Sequence, residues 1–205
     1  SGFGLYSPWL YRWLTPLFGG GTMTRILHPW FGLLFTIAFF FQFLNWFTSM
    51  LWTDGDSRWM KRMRGYVSNR EKLEPKETGY FNGGQKLYFW AIVVSALLFL
   101  ITGLLMWFDN VVPRWVMAIS YVVHDIAALV MLAGFIIHIY EGTAAQPGTF
   151  RSMVDGTVTE DWAWTHHPKW YADVTGRDSR DAYEQARQEQ ARNEDRREAV
   201  DRERR

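Results

Sequence analysis

Three long stretches almost free of charge decide what this chain can fold into. From Ile26 to Thr53 there is no Asp, Glu, Lys or Arg, and the same holds from Leu87 to Phe108. A third stretch, Trp115 to Tyr140, carries Asp125 as its one charge. A helix needs roughly 20 apolar residues to cross the hydrocarbon of a bilayer, and each stretch is longer than that. Trp46, Trp52, Trp90, Trp107 and Trp115 lie near the stretch ends, where an interfacial aromatic belt is expected. The predicted fold is therefore all-α: a transmembrane helical bundle with membrane helices at about 24–53, 87–108 and 114–141.

The remaining sequence orients and bounds these helices. The first loop, Asp54 to Lys86, carries eight Lys or Arg (Arg58, Lys61, Arg62, Arg64, Arg70, Lys72, Lys76 and Lys86), whereas Asp109 to Arg114 carries only Arg114. The positive-inside rule places the longer loop in the cytoplasm, so the first and third helices both run from outside to inside. Within that loop, Ser57 to Val67 has Trp59, Met60, Met63 and Val67 among basic residues, a pattern that suits either a short surface helix or a solvated loop. Residues 1–171 are expected to form the membrane domain. Residues 172–205 form a charged cytoplasmic tail, too poor in apolar positions for a core and expected to be disordered or docked on a partner. No initiating Met is present and apolar Leu5, Tyr6, Trp9 and Leu10 stand at the start, so the chain is expected to begin inside a longer natural one. Ser1 to Gly21 also lacks the pattern of a cleavable signal peptide.

The chain contains no Cys. Disulfides, a cluster held on thiolates of this chain and a thioether-linked haem are all excluded, so a redox centre here needs other ligands. His28, His124 and His138 lie inside the apolar stretches, where an ionisable side chain is costly enough to imply a function. His124 and His138 are 14 residues apart. On a helix that is about 21 Å of rise and about 40° short of four turns, so the two imidazoles share nearly one face at two depths. Neutral imidazoles are good haem iron ligands, and one helix in this register can serve two haems. Because the first and third helices run parallel, His28 and His124 fall at the same outer level and can share one haem. His138 falls toward the cytoplasmic leaflet, where no other His is placed. Gly32 and Gly134, each four residues from a His, fit either room for a porphyrin or close helix approach. His166 and His167 read most simply as surface residues. Asn82, Gly83, Gly84 and Gln85 precede the second stretch, and suit either a helix cap or a set of donors for a quinone carbonyl.

Several strings together resemble a known family. RILHPWFG (Arg25 to Gly32), YFNGGQKLYFW (Tyr80 to Trp90), the His124 to His138 helix ending in HIY, GTFRSMVDGTV (Gly148 to Val158) and WTHHPKWY (Trp164 to Tyr171) are similar to the gamma, cytochrome b556, subunits of membrane-bound formate dehydrogenases. The resemblance implies a four-helix inner-membrane subunit of an oxidoreductase complex, with two haems b and formate oxidation in another subunit. Electrons would come from an iron-sulfur (beta) subunit, itself fed by a molybdenum or tungsten (alpha) subunit, and would reduce quinone near the cytoplasmic face. By position, His28 and His124 would ligate the outer haem and His138 the inner one. His138, Asn82, Gly84 and Gln85 would line the quinone pocket. The family takes the second inner ligand from a His on an N-terminal helix, which is missing here, and Ser1 to Leu17 resembles the end of that helix. The alternatives are a cytochrome b serving a quinone-linked hydrogenase or a sulfur-oxyanion reductase, or a haem-free membrane anchor. No nucleic-acid partner is expected.

Overall fold

Proline and glycine set the first turns of the chain. In the computed structural model, which describes residues 1–67 and 76–203, helix α1 (Gly2–Tyr6) stops at Ser7, whose backbone is extended (φ −123°, ψ 128°). Pro8 forces that break, since it disfavours helix in the residue before it, and then opens α2 (Pro8–Leu14) at the first helical position. A 3-10 turn, Thr15–Phe18, leads into Gly19 and Gly20 at φ 80° and 96°, conformations that glycine adopts without steric cost. They redirect the chain into α3 (Gly21–Trp46).

The first membrane helix starts before its charge-free stretch and ends short of Thr53. It tightens into a 3-10 turn at Phe47–Met50 and then ends, because the Thr53 backbone N–H and hydroxyl both donate to Asp56 Oδ2 at 2.7 Å and begin the cap of α4 (Asp54–Val67). The expected surface helix at 57–67 thus lies within α4; Arg70 and Lys72 of the same loop fall outside the described residues. Helix α5 (Gly83–Trp107) and α6 (Arg114–Tyr140) follow, joined through a 3-10 turn at Asp109–Val111. A π turn, Glu141–Ala145, prolongs α6, and α7 (Thr149–Asp155), α8 (Glu160–His166), α9 (Pro168–Thr175) and α10 (Ser179–Glu203) complete the described chain. Among the described residues there is no strand. Gly21–Met50, Gly83–Trp107 and Arg114–Ala145 are long and apolar enough to cross a membrane.

The chain divides into two compact units. The first comprises Ser1–Thr48 and Tyr88–His138. Within it the ring pairs fix the helix directions. Trp30 meets Trp107 (5.3 Å between centroids) and Phe43 meets Phe89 (6.1 Å), so α3 and α5 are antiparallel. Thr102 meets His124 and Tyr88 meets His138, so α5 and α6 are antiparallel and α3 and α6 run parallel. No residue from 25 to 46 is buried, which leaves α3 largely open along its length.

The second unit comprises Ser49–Leu87 and Ile139–Arg205. Asn82 and Gln85 cap α5 reciprocally: the Gln85 N–H donates to Asn82 Oδ1 and the Asn82 N–H to Gln85 Oε1, both at 2.9 Å. Glycine is required at 83 and 84, since a Cβ at either would come within 3.1 Å and 2.8 Å of the Trp59 ring. Lys86 and Asp56 form a buried ion pair at 2.8 Å, and Lys86 Nζ also donates to the Leu51 carbonyl. A small core of Ala163, Tyr171 and Ala182, flanked by Val158, Trp164 and Trp170, ties α8 and α9 to the start of α10. The charged tail is thus helical from Ser179, held at its first turns by Ala182 and by Asp178, which accepts from Lys76 at 3.0 Å. Its residues beyond 187 that the structure describes are exposed.

The expectation of surface histidines at 166 and 167 is corrected. His167 is 5 % exposed, and its Nδ1 donates to the Gly79 carbonyl at 2.8 Å, a partner 88 residues away. Trp162 lies against both rings, at 5.0 Å from His166 and 4.9 Å from His167. Burial, aided by the neighbouring His167 and opposed by Asp161, lowers the His166 pKa to about 4. Burial lowers His167 too, against an upward pull from the Gly79 bond. Above pH ~6.5 neither folded nor unfolded His166 binds a proton; below it only the unfolded form does, until the folded pKa is reached. Stability of this unit therefore falls as pH drops from ~6.5 to ~4, by up to about 3 kcal/mol from His166. Hydrogen exchange of residues 149–175 checks this: protection is expected to fall across that window, and less so in His166→Asn. A flat profile would contradict the assignment.

Candidate functional site

Helices α3 and α6 bring two of the predicted ligands together. The His28 and His124 rings lie 6.2 Å apart between centroids, with planes at 79°. A metal-imidazole bond is roughly 2.0–2.1 Å long, so two rings bound on opposite sides of one metal have centroids about 6 Å apart. The observed spacing meets that requirement without rearrangement of the helices.

Hydrogen bonds leave Nε2 of His124 free. Thr102 Oγ1 donates to the Leu98 carbonyl at 2.5 Å, which uses its only proton, and lies 2.8 Å from His124 Nδ1. The Thr102 oxygen therefore accepts from His124 Nδ1–H, and Nε2 keeps its lone pair for a metal. His28 Nδ1 lies 3.1 Å from Ser1 Oγ, a hydroxyl able to donate or accept. Gly2 packs against the same ring, where a Cβ would come within 3.2 Å of Cε1. Phe99 covers His124 at 4.9 Å. Thr102 was missed in the sequence; the signal was a hydroxyl residue in a charge-free stretch, shared with Ser95, and it became meaningful only once its partner across the bundle was known.

His138 stands apart from this pair, 14 residues further along α6. Its exposed ring stacks on Tyr88 at 5.2 Å and 14°. Gly134 makes the stack possible, since a Cβ there would lie 3.0 Å from Tyr88 Cε2. That glycine thus serves side-chain packing, whereas a Cβ at Gly32 would meet nothing within 4 Å. Within the first unit no second His reaches the level of His138. Asn82, Gly84 and Gln85 lie at the N-terminus of α5, where the capping exchange engages the carbonyl oxygens of the Asn82 and Gln85 side chains. Of the two readings of this turn, the helix cap is formed, and the Gln85 N–H is taken by Asn82. Gln85 is exposed, and its Nε2 has no hydrogen bond among the described residues.

A cavity of about 620 Å³ opens elsewhere in the second unit, lined by residues that include Asp56, Arg58, Lys76, Glu77 and Lys86. Its cations are paired, Arg58 with Glu77 at 3.0 Å, Lys76 with Asp178 at 3.0 Å, Lys86 with Asp56 at 2.8 Å and Lys169 with Asp173 at 2.6 Å, so it offers no excess charge for an anion.

Two oriented imidazoles at axial-ligand spacing within apolar helices, in a chain without thiolates, define the class as a membrane cytochrome of the b type, and the residues present fit haem. Comparison with known proteins gives the family. A model of prokaryotic cytochrome b561 matches residues 1–156. Over 177 residues the chain is 33 % identical to the cytochrome b556(fdo) subunit of formate dehydrogenase from Escherichia coli, covering 85 % of this chain and 82 % of that protein. It is 31 % identical to the nitrate-inducible cytochrome b556(Fdn) subunit of the same organism, covering 85 % and 80 %. The formate dehydrogenase cytochrome b556 subunit of Haemophilus influenzae is 31 % identical over 164 residues, 78 % of this chain and 68 % of that protein. The chain belongs to the prokaryotic cytochrome b561 family, whose members are haem b membrane proteins.

Proposed function

We propose that this chain is the cytochrome b subunit of a formate dehydrogenase complex, carrying electrons from an iron-sulfur partner across the membrane to quinone. The observation that carries the reading is the His28–His124 pair at 6.2 Å, with both Nδ1 atoms engaged, in a chain whose relatives bear that name. Haem b, when bound, supplies a one-electron carrier whose potential follows its axial ligands and their hydrogen bonds. His28 and His124 hold the outer haem. His138 supplies a ligand to an inner haem, about 21 Å further along the helix axis, so that the subunit carries two. The basic loop between the first two spanning helices faces the cytoplasm. Quinone docks near His138 with Asn82, Gly84 and Gln85, where the Gln85 amide nitrogen is the available donor to a carbonyl. Formate oxidation, at molybdenum or tungsten, takes place in another subunit.

Thr102 acts on the outer haem through His124. In Thr102→Val the Nδ1–H loses its acceptor, and haem retention is expected to weaken by roughly 10–100-fold, with a shifted outer-haem midpoint potential and an unchanged inner one. Thr102→Ser, which keeps the hydroxyl, should restore both readings. Equal retention and potential in the Val variant would show that Thr102 does not orient the ligand.

The function is tested on the purified complex. Formate is expected to reduce the b haem and, through it, a short-chain quinone. Reduction by hydrogen and not by formate would assign the chain to a hydrogenase, and a reduced-minus-oxidised spectrum without a b-type band would make it an anchor.

A further inference from the structure

Two buried side-chain polar atoms among the described residues lack a hydrogen-bond partner, Gln42 Nε2 and Thr78 Oγ1. Gln42 lies in a membrane-spanning helix, where water is not at hand to satisfy it and an unpaired donor is costly. Its place in the bundle is specific. Gln42 follows His28 by 14 residues on α3, as His138 follows His124 by 14 on α6. The two helices run parallel and their first histidines are level, so Gln42 reaches the depth of His138, about 40° short of four turns from the face of His28. The ring contacts agree: Phe43 stacks on Phe89, whose neighbour Tyr88 stacks on His138.

We propose that Gln42 donates a hydrogen bond from Nε2 to an oxygen of the redox group held at the level of His138, a reading that rests on the two-haem function above. An amide nitrogen only donates, so its partner is an acceptor. The inner redox groups offer a haem carboxylate or a quinone carbonyl, the same chemistry from two sources. Gln42 is then an inner-site residue supplied by the helix that carries an outer ligand.

The test uses the intact complex carrying Gln42→Met, which keeps length and removes the donor, and Gln42→Leu as a second variant. Haem content, the midpoint potentials of both haems and the KM for a short-chain ubiquinone and a short-chain naphthoquinone are measured. If the acceptor is the haem carboxylate, the inner-haem potential falls, because that negative charge is less compensated, while the outer one stays. If it is the quinone carbonyl, the potentials stay and KM rises roughly three- to tenfold. Loss of the inner haem alone also supports the contact. Unchanged potentials and KM in both variants, or loss of both haems in both, would overturn it. An unaltered complex that lacks an inner haem and does not reduce quinone would instead overturn the functional reading, and that is read before any substitution.

Discussion

His28→Ala and His124→Ala are each expected to abolish one and the same low-spin haem signal and with it formate-driven quinone reduction. The two rings stand 6.2 Å apart, with Nδ1 of each beside a hydroxyl of Ser1 or Thr102, and in the proposed function they share one iron. Removing either ring leaves the other without its counterpart, and the effects of the two substitutions should not add, because they act on one unit. His138→Ala is expected to remove a different haem signal together with quinone reduction, since His138 lies 14 residues further along α6. Difference spectra and haem-to-protein ratios of the three variants check this. Loss of one common signal in all three would refute a two-site arrangement.

Lys86→Met is expected to destabilise the second unit by about 3–5 kcal/mol, the cost typical of removing one partner of a buried ion pair. The Asp56 and Lys86 side chains are only 6 % and 8 % exposed and lie 2.8 Å apart. The carboxylate would keep its bonds from Thr53 but lose its counter-ion, and the Leu51 carbonyl would lose its ammonium donor. Combining Lys86→Met with Asp56→Leu should recover part of the loss, limited by the cap of α4 that Asp56 also provides. Hydrogen exchange of residues 49–64 and 76–87 reports the change; a cost below about 1 kcal/mol would show that the pair is not desolvated as the structure implies.

The membrane helices were legible because the bilayer allows little else: charge-free stretches of sufficient length have one regular solution. Their ends were less so. The first helix stops before Thr53 because Asp56 draws that residue into the next cap, a choice that depends on side-chain geometry. The common level of His28 and His124 followed from parallel helices and spacing. Thr102 and Tyr88 did not, since their roles depend on which face of α5 meets α6. His167 looked like a surface residue among polar neighbours; the Gly79 carbonyl that buries it is far away in sequence. The Asn82 to Gln85 turn supported two readings, and the reciprocal bonds settle the capping one while leaving Gln85 Nε2 available.

Electron paramagnetic resonance of the oxidised native complex tests the paired-imidazole site most directly. Two axial imidazole planes near the observed 79° predict a low-spin ferric signal of the strongly anisotropic kind that accompanies nearly perpendicular ligand planes, lost in both His28→Ala and His124→Ala. A native complex without that strongly anisotropic signal, or one in which it survives both substitutions, would contradict it.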